Sequence, residues 1–166
     1  EQLDDYVRLL RADPAEVEAL FRDLLIRVTS FFRDAEAFAV LQGELAKRLF
    51  ATKSSGDTIR AWVPGCCTGE EAYSLAILLQ EQMEALQQSF TIQIFATDID
   101  AATIDRARTG IYPAGIAAEI SPERLARFFD ADPDHSQYRV KKGLRDLLIF
   151  SEQDIIRDPP FSRLDL

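Results

Sequence analysis

Histidine and cysteine are nearly missing from this chain. Its 166 residues include one histidine, His135, and two cysteines, Cys66 and Cys67, which are adjacent. Neighbouring cysteines rarely form a relaxed bridge, and no third thiol exists to pair with either. A disulfide framework is therefore excluded, and a reducing, cytoplasmic compartment is expected. The same scarcity leaves no metal-ligand spacing. No run of 18 apolar residues occurs, so no direct membrane insertion is expected. The first residues carry no signal-peptide pattern, and Glu1 leads us to expect that the natural start lies upstream. Basic charge is short as well: 19 Lys and Arg against 28 Asp and Glu give a net charge of −9. Non-specific nucleic-acid binding needs basic clusters, so nucleic acid is set aside as a partner. There is no internal repeat and no low-complexity tract. What remains, with 47% apolar residues, is one globular domain with a real core.

The stretch Ile59-Arg60-Ala61-Trp62-Val63-Pro64-Gly65-Cys66-Cys67-Thr68-Gly69-Glu70-Glu71 organises the rest. It reads as a buried strand, a turn of small residues and the first turn of a helix. Ala72, Leu75, Ala76, Leu79, Met83 and Leu86 continue at helical spacing. Such a corner brings bare backbone to the carboxyl edge of a sheet, where open α/β sheets bind ligands. The run Ile92 to Asp100 repeats the form and places Asp98 at its end. One helix plus one strand separate Gly69 from Asp98, the layout of a ribose held between a glycine turn and a carboxylate. The turn is not G-x-G-x-x-G, because Cys67 stands where a glycine belongs. Glu70 and Glu71 sit at a helix N-terminus, where capping and function are equally good readings. Two acids there oppose a phosphate and suit a ligand with an amino group or a sulfonium. That weighs against a nicotinamide-dinucleotide dehydrogenase. Asp98 reads as a ribose acceptor, since Asp100 is better placed to cap the next helix. Arg33 follows a Phe-Phe pair in a helix break and can meet a carboxylate, or form a surface ion pair. Asp154, past a third candidate strand, either meets an adenine amino group or caps a turn. Phe31 and Phe32 read as core, and His135 as a solvated loop residue.

The expected fold is α/β: a Rossmann-like parallel sheet covered on both faces, with preceding helices. Leu3, Tyr6, Val7 and Leu10 make one apolar helix face. Asp13-Pro14-Ala15-Glu16 is a helix start. Val17, Leu20, Phe21, Leu24, Leu25 and Val28 form a stripe behind it. A third helix is expected from Asp34 to about Phe50. Residues 1–52 thus form a helical lead, and 53–166 the first part of the α/β domain. Strands are expected at 59–63 and 91–97, with helices at 69–87 and 100–109. Tyr138 to Lys141 and Leu147 to Phe150 read as a hairpin, giving a small antiparallel unit at about 130–151. Phe161 to Leu166 resembles the lead into a further strand, so the sheet is expected to be truncated at its C-terminal side.

Three segments carry a resemblance: Thr29-Ser30-Phe31-Phe32-Arg33-Asp34, Trp62 to Ser74 with its Thr-Gly-Glu-Glu-x-Tyr-Ser core, and Ala96-Thr97-Asp98-Ile99-Asp100. Ala107 to Tyr112 and Asp158 to Phe161 add to it. Together they resemble the chemotaxis receptor methyltransferases, the bacterial CheR family, over nearly the whole chain. The wording near Asp13 to Asp34 and Asp158 to Leu166 is most similar to members fused to a receptor methylesterase and sensor modules. The resemblance implies an S-adenosylmethionine-dependent methyltransferase fold and transfer to glutamate side chains of methyl-accepting chemotaxis receptors. The products would be glutamate methyl esters and S-adenosylhomocysteine, with the receptors' cytoplasmic domains as partners. It further implies that Thr29 and Arg33 contact the methionine end of the cofactor, with Gly65 and Gly69 at the corner. Glu70 would hold its polar tail, Asp98 its ribose and Asp154 its adenine, where relatives carry asparagine. Arg27 stands where some relatives have a cofactor-contacting asparagine. Arg33 or Arg48 would orient the acceptor carboxylate. A glutamate is already ionised near neutral pH, so the chemistry needs no histidine base. The family's basic N-terminal domain is mostly absent, and its Arg-Asn element would follow Leu166, so activity is expected of the parent protein. The small antiparallel unit lacks the family's extra turn insert, so docking of a receptor tail is not expected there. An alternative class is a non-catalytic cofactor-sensing or scaffold module of a hybrid signalling protein.

Overall fold

The computed structural model describes residues 2–24 and 28–166. Two short helices come first, α1 (Gln2–Ala12) and α2 (Pro14–Leu24). Asp13 caps α2 by accepting the Ala15 N–H at 2.9 Å, and Tyr6 donates to Glu16 at 2.9 Å to join the pair. Their apolar stripes stay largely open, with Leu3, Val7, Val17, Phe21 and Leu24 exposed. Leu25 of the expected stripe lies outside the described residues. Helix α3 (Ala35–Glu44) follows, and its spacing then loosens into a wide π turn (Leu45–Leu49) and tightens again at Phe50–Thr52. That change of pitch lets Leu45 and Phe50 both enter the core, Phe50 edge-on to Phe90 at 5.1 Å.

The α/β frame begins with β1 (Thr58–Pro64), α4 (Glu70–Leu86), β2 (Thr91–Asp98) and α5 (Ala101–Thr109). Burial alternates along β1, with Ile59, Ala61 and Val63 turned to the core. Helix α4 meets them with a continuous buried run from Ala72 to Leu79, in which Tyr73, Ile77, Leu78 and Leu79 have 1% exposure or less. Burying one such aliphatic side chain contributes roughly 1.5–3 kcal/mol, so this helix–sheet face dominates the core. Asp100 caps α5 as its spacing predicts, accepting the Ala102 N–H at 3.0 Å.

A smaller unit interrupts the frame: β3 (Ile111–Pro113), a tight turn (Ala114–Ala118), α6 (Pro122–Phe128), β4 (Phe129–Ala131) and β5 (Gln137–Val140). These strands form an antiparallel sheet in the order β3-β5-β4, with Tyr112 opposite Tyr138 and Phe129 opposite Val140. The expected hairpin between 138–141 and 147–150 does not form. Residues Lys142–Arg145 coil into a helical turn, α7, that buries Leu144. The following strand, β6 (Leu148–Glu152), then joins the main sheet. Two buried side chains, Leu148 and Phe150, decide this, because they need the covered face of the larger sheet.

The main sheet is parallel, in the order β1-β2-β6, with Ala61 opposite Ile94 and Phe95 opposite Ile149. The chain then doubles back. Leu166 donates to the Arg60 carbonyl at 3.3 Å and accepts from the Trp62 N–H at 3.0 Å, a parallel pattern on the free edge of β1. Asp165 fixes that return, accepting the Arg60 N–H at 2.9 Å and pairing with Lys53 at 2.7 Å. The strand order therefore runs outward from β1 to β6, and the chain then returns to the other side of β1. The carboxyl end of β1 is the topological switch point, where ligands of open α/β sheets bind.

Candidate cofactor site

The corner after β1 is built by backbone. Gly65 and Gly69 have φ of +65° and +94°, and Cys67 between them has φ of +49°. The Cys66 N–H continues the ladder to the Thr97 carbonyl at 2.9 Å, and the Gly69 N–H closes the turn on the Cys66 carbonyl at 2.8 Å. The Cys67 N–H then crosses to Asp98 Oδ2 at 2.8 Å, while Asp98 Oδ1 accepts the Asp100 N–H at 3.0 Å. The carboxylate at the end of β2 is thus locked to the corner after β1. An ionised carboxyl has about four acceptor directions, so two remain for a ligand. The two glycines differ in purpose. A Cβ at Gly65 would meet nothing, so its place reflects the turn alone; at Gly69 it would lie 3.0 Å from Ala107 Cβ and 3.2 Å from the Phe150 ring.

A cleft of about 830 Å³ opens at this edge. Its lining includes Thr29, Arg33, Gly65, Asp98 and Asp154, so the structure brings five of the expected site residues together. Apolar wall comes from Phe38 and Leu41 of α3 and from Ile155 and Ile156. Asp154 does cap a turn, accepting the Ile156 N–H at 2.9 Å, and lines the cleft as well. Arg33 is exposed and donates to the Val28 carbonyl at 2.7 Å. Its turn is tied to α4 through Ser74, whose hydroxyl accepts the Phe32 N–H at 3.0 Å and donates to the Glu70 carbonyl at 2.7 Å. Tyr73 donates to the Ala107 carbonyl at 2.9 Å from a fully buried position. The Tyr-Ser pair of the motif therefore serves the framework of the site.

Gly69, Glu70 and Arg48 do not line the cleft. Glu70 is 9% exposed and turns to the Thr68 hydroxyl, 2.9 and 2.7 Å from its two oxygens. Burial pushes its carboxyl above the usual glutamate range, partly offset by that hydrogen bond. Arg48 is exposed on the wide turn, paired with Glu44 at 2.5 Å. Arg27 lies outside the described residues. Glu71 lines the wall instead, as does Gln153, 8% exposed, with its amide donating to the Pro159 carbonyl at 3.0 Å. Adjacent positions on a helix point about 100° apart, which was the available signal that only one of the two glutamates could face the cleft. No sequence signal marks Gln153.

The lining carries Asp34, Glu71, Asp98, Asp100 and Asp154 against Arg33, the one cationic side chain among the described lining residues. A pyrophosphate would meet strong repulsion here; a sulfonium or ammonium would be attracted. Burial raises both corner thiols, Cys66 to about 12, so neither is a thiolate nucleophile at neutral pH. Among the described residues no cluster of His, Cys, Asp or Glu is placed to hold a metal. No helix among them is long and apolar enough to cross a membrane.

These features define an α/β domain whose acid-rich cleft at the switch point suits a cationic, ribose-bearing ligand. Residues 27–166 match the family model "CheR methyltransferase, SAM binding domain". The chain belongs to that family, and S-adenosylmethionine is its cofactor. An uncharacterised 104.1 kDa protein of Rhodobacter capsulatus is 40% identical over 99% of this chain, which matches 17% of that protein. The chemotaxis protein methyltransferases of Salmonella typhimurium and Borreliella burgdorferi are 31% and 27% identical over 93% and 96% of this chain. The chain spans 53% and 58% of those two proteins.

Proposed function

We propose that this chain is the cofactor-holding part of a cytoplasmic protein-glutamate O-methyltransferase acting on the cytoplasmic domains of methyl-accepting chemotaxis receptors. The observation that carries the reading is the acid-rich cleft at the switch point, with Asp98 locked across the corner. Residues 1–52 then form the helical lead and 53–166 the first part of the methyltransferase domain. Bound S-adenosylmethionine supplies a methyl group on a positively charged sulfur. Asp98 accepts hydrogen bonds from the ribose hydroxyls with its two unused acceptor directions. Glu71 and the neighbouring acids attract the cationic end, with Glu70 behind them. Thr29 and Arg33 hold the amino-acid carboxylate. Asp154 accepts from the adenine amino group. The apolar wall of Phe38, Leu41, Ile155 and Ile156 excludes water. Alignment and dehydration are what displacement at a methyl group needs, and an ionised glutamate needs no base. That this chain matches 17% of the 104.1 kDa relative supports a larger parent protein.

Calorimetric titration with S-adenosylhomocysteine tests the site. Asp98→Ala is expected to weaken binding more than tenfold, since hydrogen bonds to charged groups contribute roughly 1.5–3 kcal/mol. Unchanged affinity would remove the ribose assignment. Transfer of radiolabelled methyl to receptor membranes by the whole protein tests the activity, and its absence with cofactor bound would favour a sensing module.

A further inference from the structure

The turn carrying Thr29 and Arg33 belongs to no helix or strand, and its shape is set from elsewhere in the chain. Phe32 has φ of +51°, a conformation that a bulky residue keeps only when its surroundings impose it. The Phe31 N–H donates to Glu119 Oε2 at 2.8 Å, across 88 positions of sequence. The buried Phe31 ring stands edge-on to Tyr112 and Phe129, at 4.9 and 5.5 Å. Arg124 lies over the Phe32 ring at 4.4 Å and grips Glu81 of α4 through two nitrogens, at 2.9 and 2.8 Å. Glu119, Tyr112, Phe129 and Arg124 all come from the small antiparallel sheet or its connections. Tyr112 also donates to the Thr68 carbonyl at 2.7 Å, so the same unit touches the corner after β1.

Among the described residues, Glu119 is the one charged group of this unit bonded to the backbone of the turn. It is exposed and does not line the cleft, so its link to the site runs through the Phe31 amide. A carboxylate accepting a backbone N–H makes a stronger bond than a neutral acceptor. The amide it accepts lies two residues from both Thr29 and Arg33. We propose that Glu119 is a positioning residue for the cofactor: by holding the Phe31 amide it keeps Thr29 and Arg33 on the cleft wall. This rests on the assignment of Thr29 and Arg33 to the cofactor.

The test is titration with S-adenosylhomocysteine of the 166-residue chain and its variants, with amide exchange read at residues 29–34. Glu119→Ala is expected to weaken binding roughly five- to tenfold, the scale of one charge-assisted hydrogen bond at a partly exposed site. Glu119→Gln restores part of the affinity, because an amide oxygen still accepts the Phe31 N–H but without the charge. Adding Glu119→Ala to the double variant Thr29→Ala, Arg33→Ala produces no further loss, because Glu119 acts through those two side chains. Exchange at Phe31 rises in Glu119→Ala. Wild-type affinity in Glu119→Ala, no rescue at all by the glutamine variant, or full additivity with the Thr29→Ala, Arg33→Ala variant each overturn the proposal. Should the wild-type chain bind no S-adenosylhomocysteine, the cofactor assignment fails instead. Exchange then decides the role of Glu119 alone: unchanged protection at Phe31 overturns it, and raised exchange sustains its hold on the turn.

Discussion

The corner after β1 and the turn before α3 line the same cleft, yet different forces hold them. The corner is closed mainly by its own backbone and by the end of the neighbouring strand, through Cys66, Cys67 and Asp98, with Tyr112 adding one bond to the Thr68 carbonyl. The turn is held by side chains distant in sequence: Ser74, Glu119, Tyr112 and Phe129. A wall made by strand ends is as rigid as the sheet. A wall pinned by a few side chains can be loosened one contact at a time. The proposed roles follow the same split, since Asp98, the proposed ribose acceptor, sits on the rigid wall and Arg33 on the adjustable one.

The largest expected effect comes from the ring that anchors the turn. Phe31 is 2% exposed between two aromatic partners. Phe31→Ala is expected to destabilise the fold by roughly 3–5 kcal/mol, as for other buried aromatics cut to alanine. A urea titration measures the loss. Amide exchange is expected to rise first at residues 28–34, while Cys66 and Cys67 keep their protection. Equal exposure of both walls would erase the distinction between them.

The converse substitution strikes the corner. Gly69 has φ of +94°, and an added Cβ would lie 3.0 Å from Ala107 Cβ. Gly69→Ala combines backbone strain with overpacking, for roughly 2–3 kcal/mol. Here the corner amides are expected to lose protection before the turn does.

This contrast also explains what the sequence made legible. The corner was readable because its information is local: small residues between a strand and a helix, then an acid at the end of the next strand. The same logic placed α4, β2, α5 and the cap at Asp100. The support of the turn was not readable, because nothing near Phe31 points to Glu119. The hairpin expectation failed for a related reason. Residues 138–150 have the right local pattern, but long-range demand for Leu148 and Phe150 in the parallel sheet outweighed it. Glu70 and Glu71 were indistinguishable as letters; only the seating of α4 decided which one is buried.

Glu70 supplies a smaller, pH-dependent effect. Its carboxyl is raised above the ordinary value of 4.5 by burial. The folded state therefore holds its proton more tightly than the unfolded chain. That contribution to stability is fully present below about 4.5 and is lost as pH rises through the raised folded value. Glu70→Gln is expected to flatten stability across this window, measured as urea midpoints from pH 4 upward. Identical slopes in both proteins would show that Glu70 ionises freely. Bound cofactor product should favour the charged carboxylate, so proton release on binding is expected in buffers of different ionisation enthalpy.

The smallest effect is expected at Arg48, which separates residues near the cleft in sequence from residues on it. Its guanidinium is 84% exposed and meets Glu44 one helical turn away. An exposed pair of this kind contributes roughly 0.3–0.5 kcal/mol. It touches neither wall. Arg48→Ala is thus expected to leave S-adenosylhomocysteine affinity unchanged and to shift the urea midpoint by little more than experimental error. Arg33→Ala, made in parallel, is expected to weaken affinity with an equally small change in midpoint. A loss of affinity in Arg48→Ala would mean that the wide turn Leu45–Leu49 swings toward the cleft when ligand enters. The adjustable wall would then extend through α3 to residue 49.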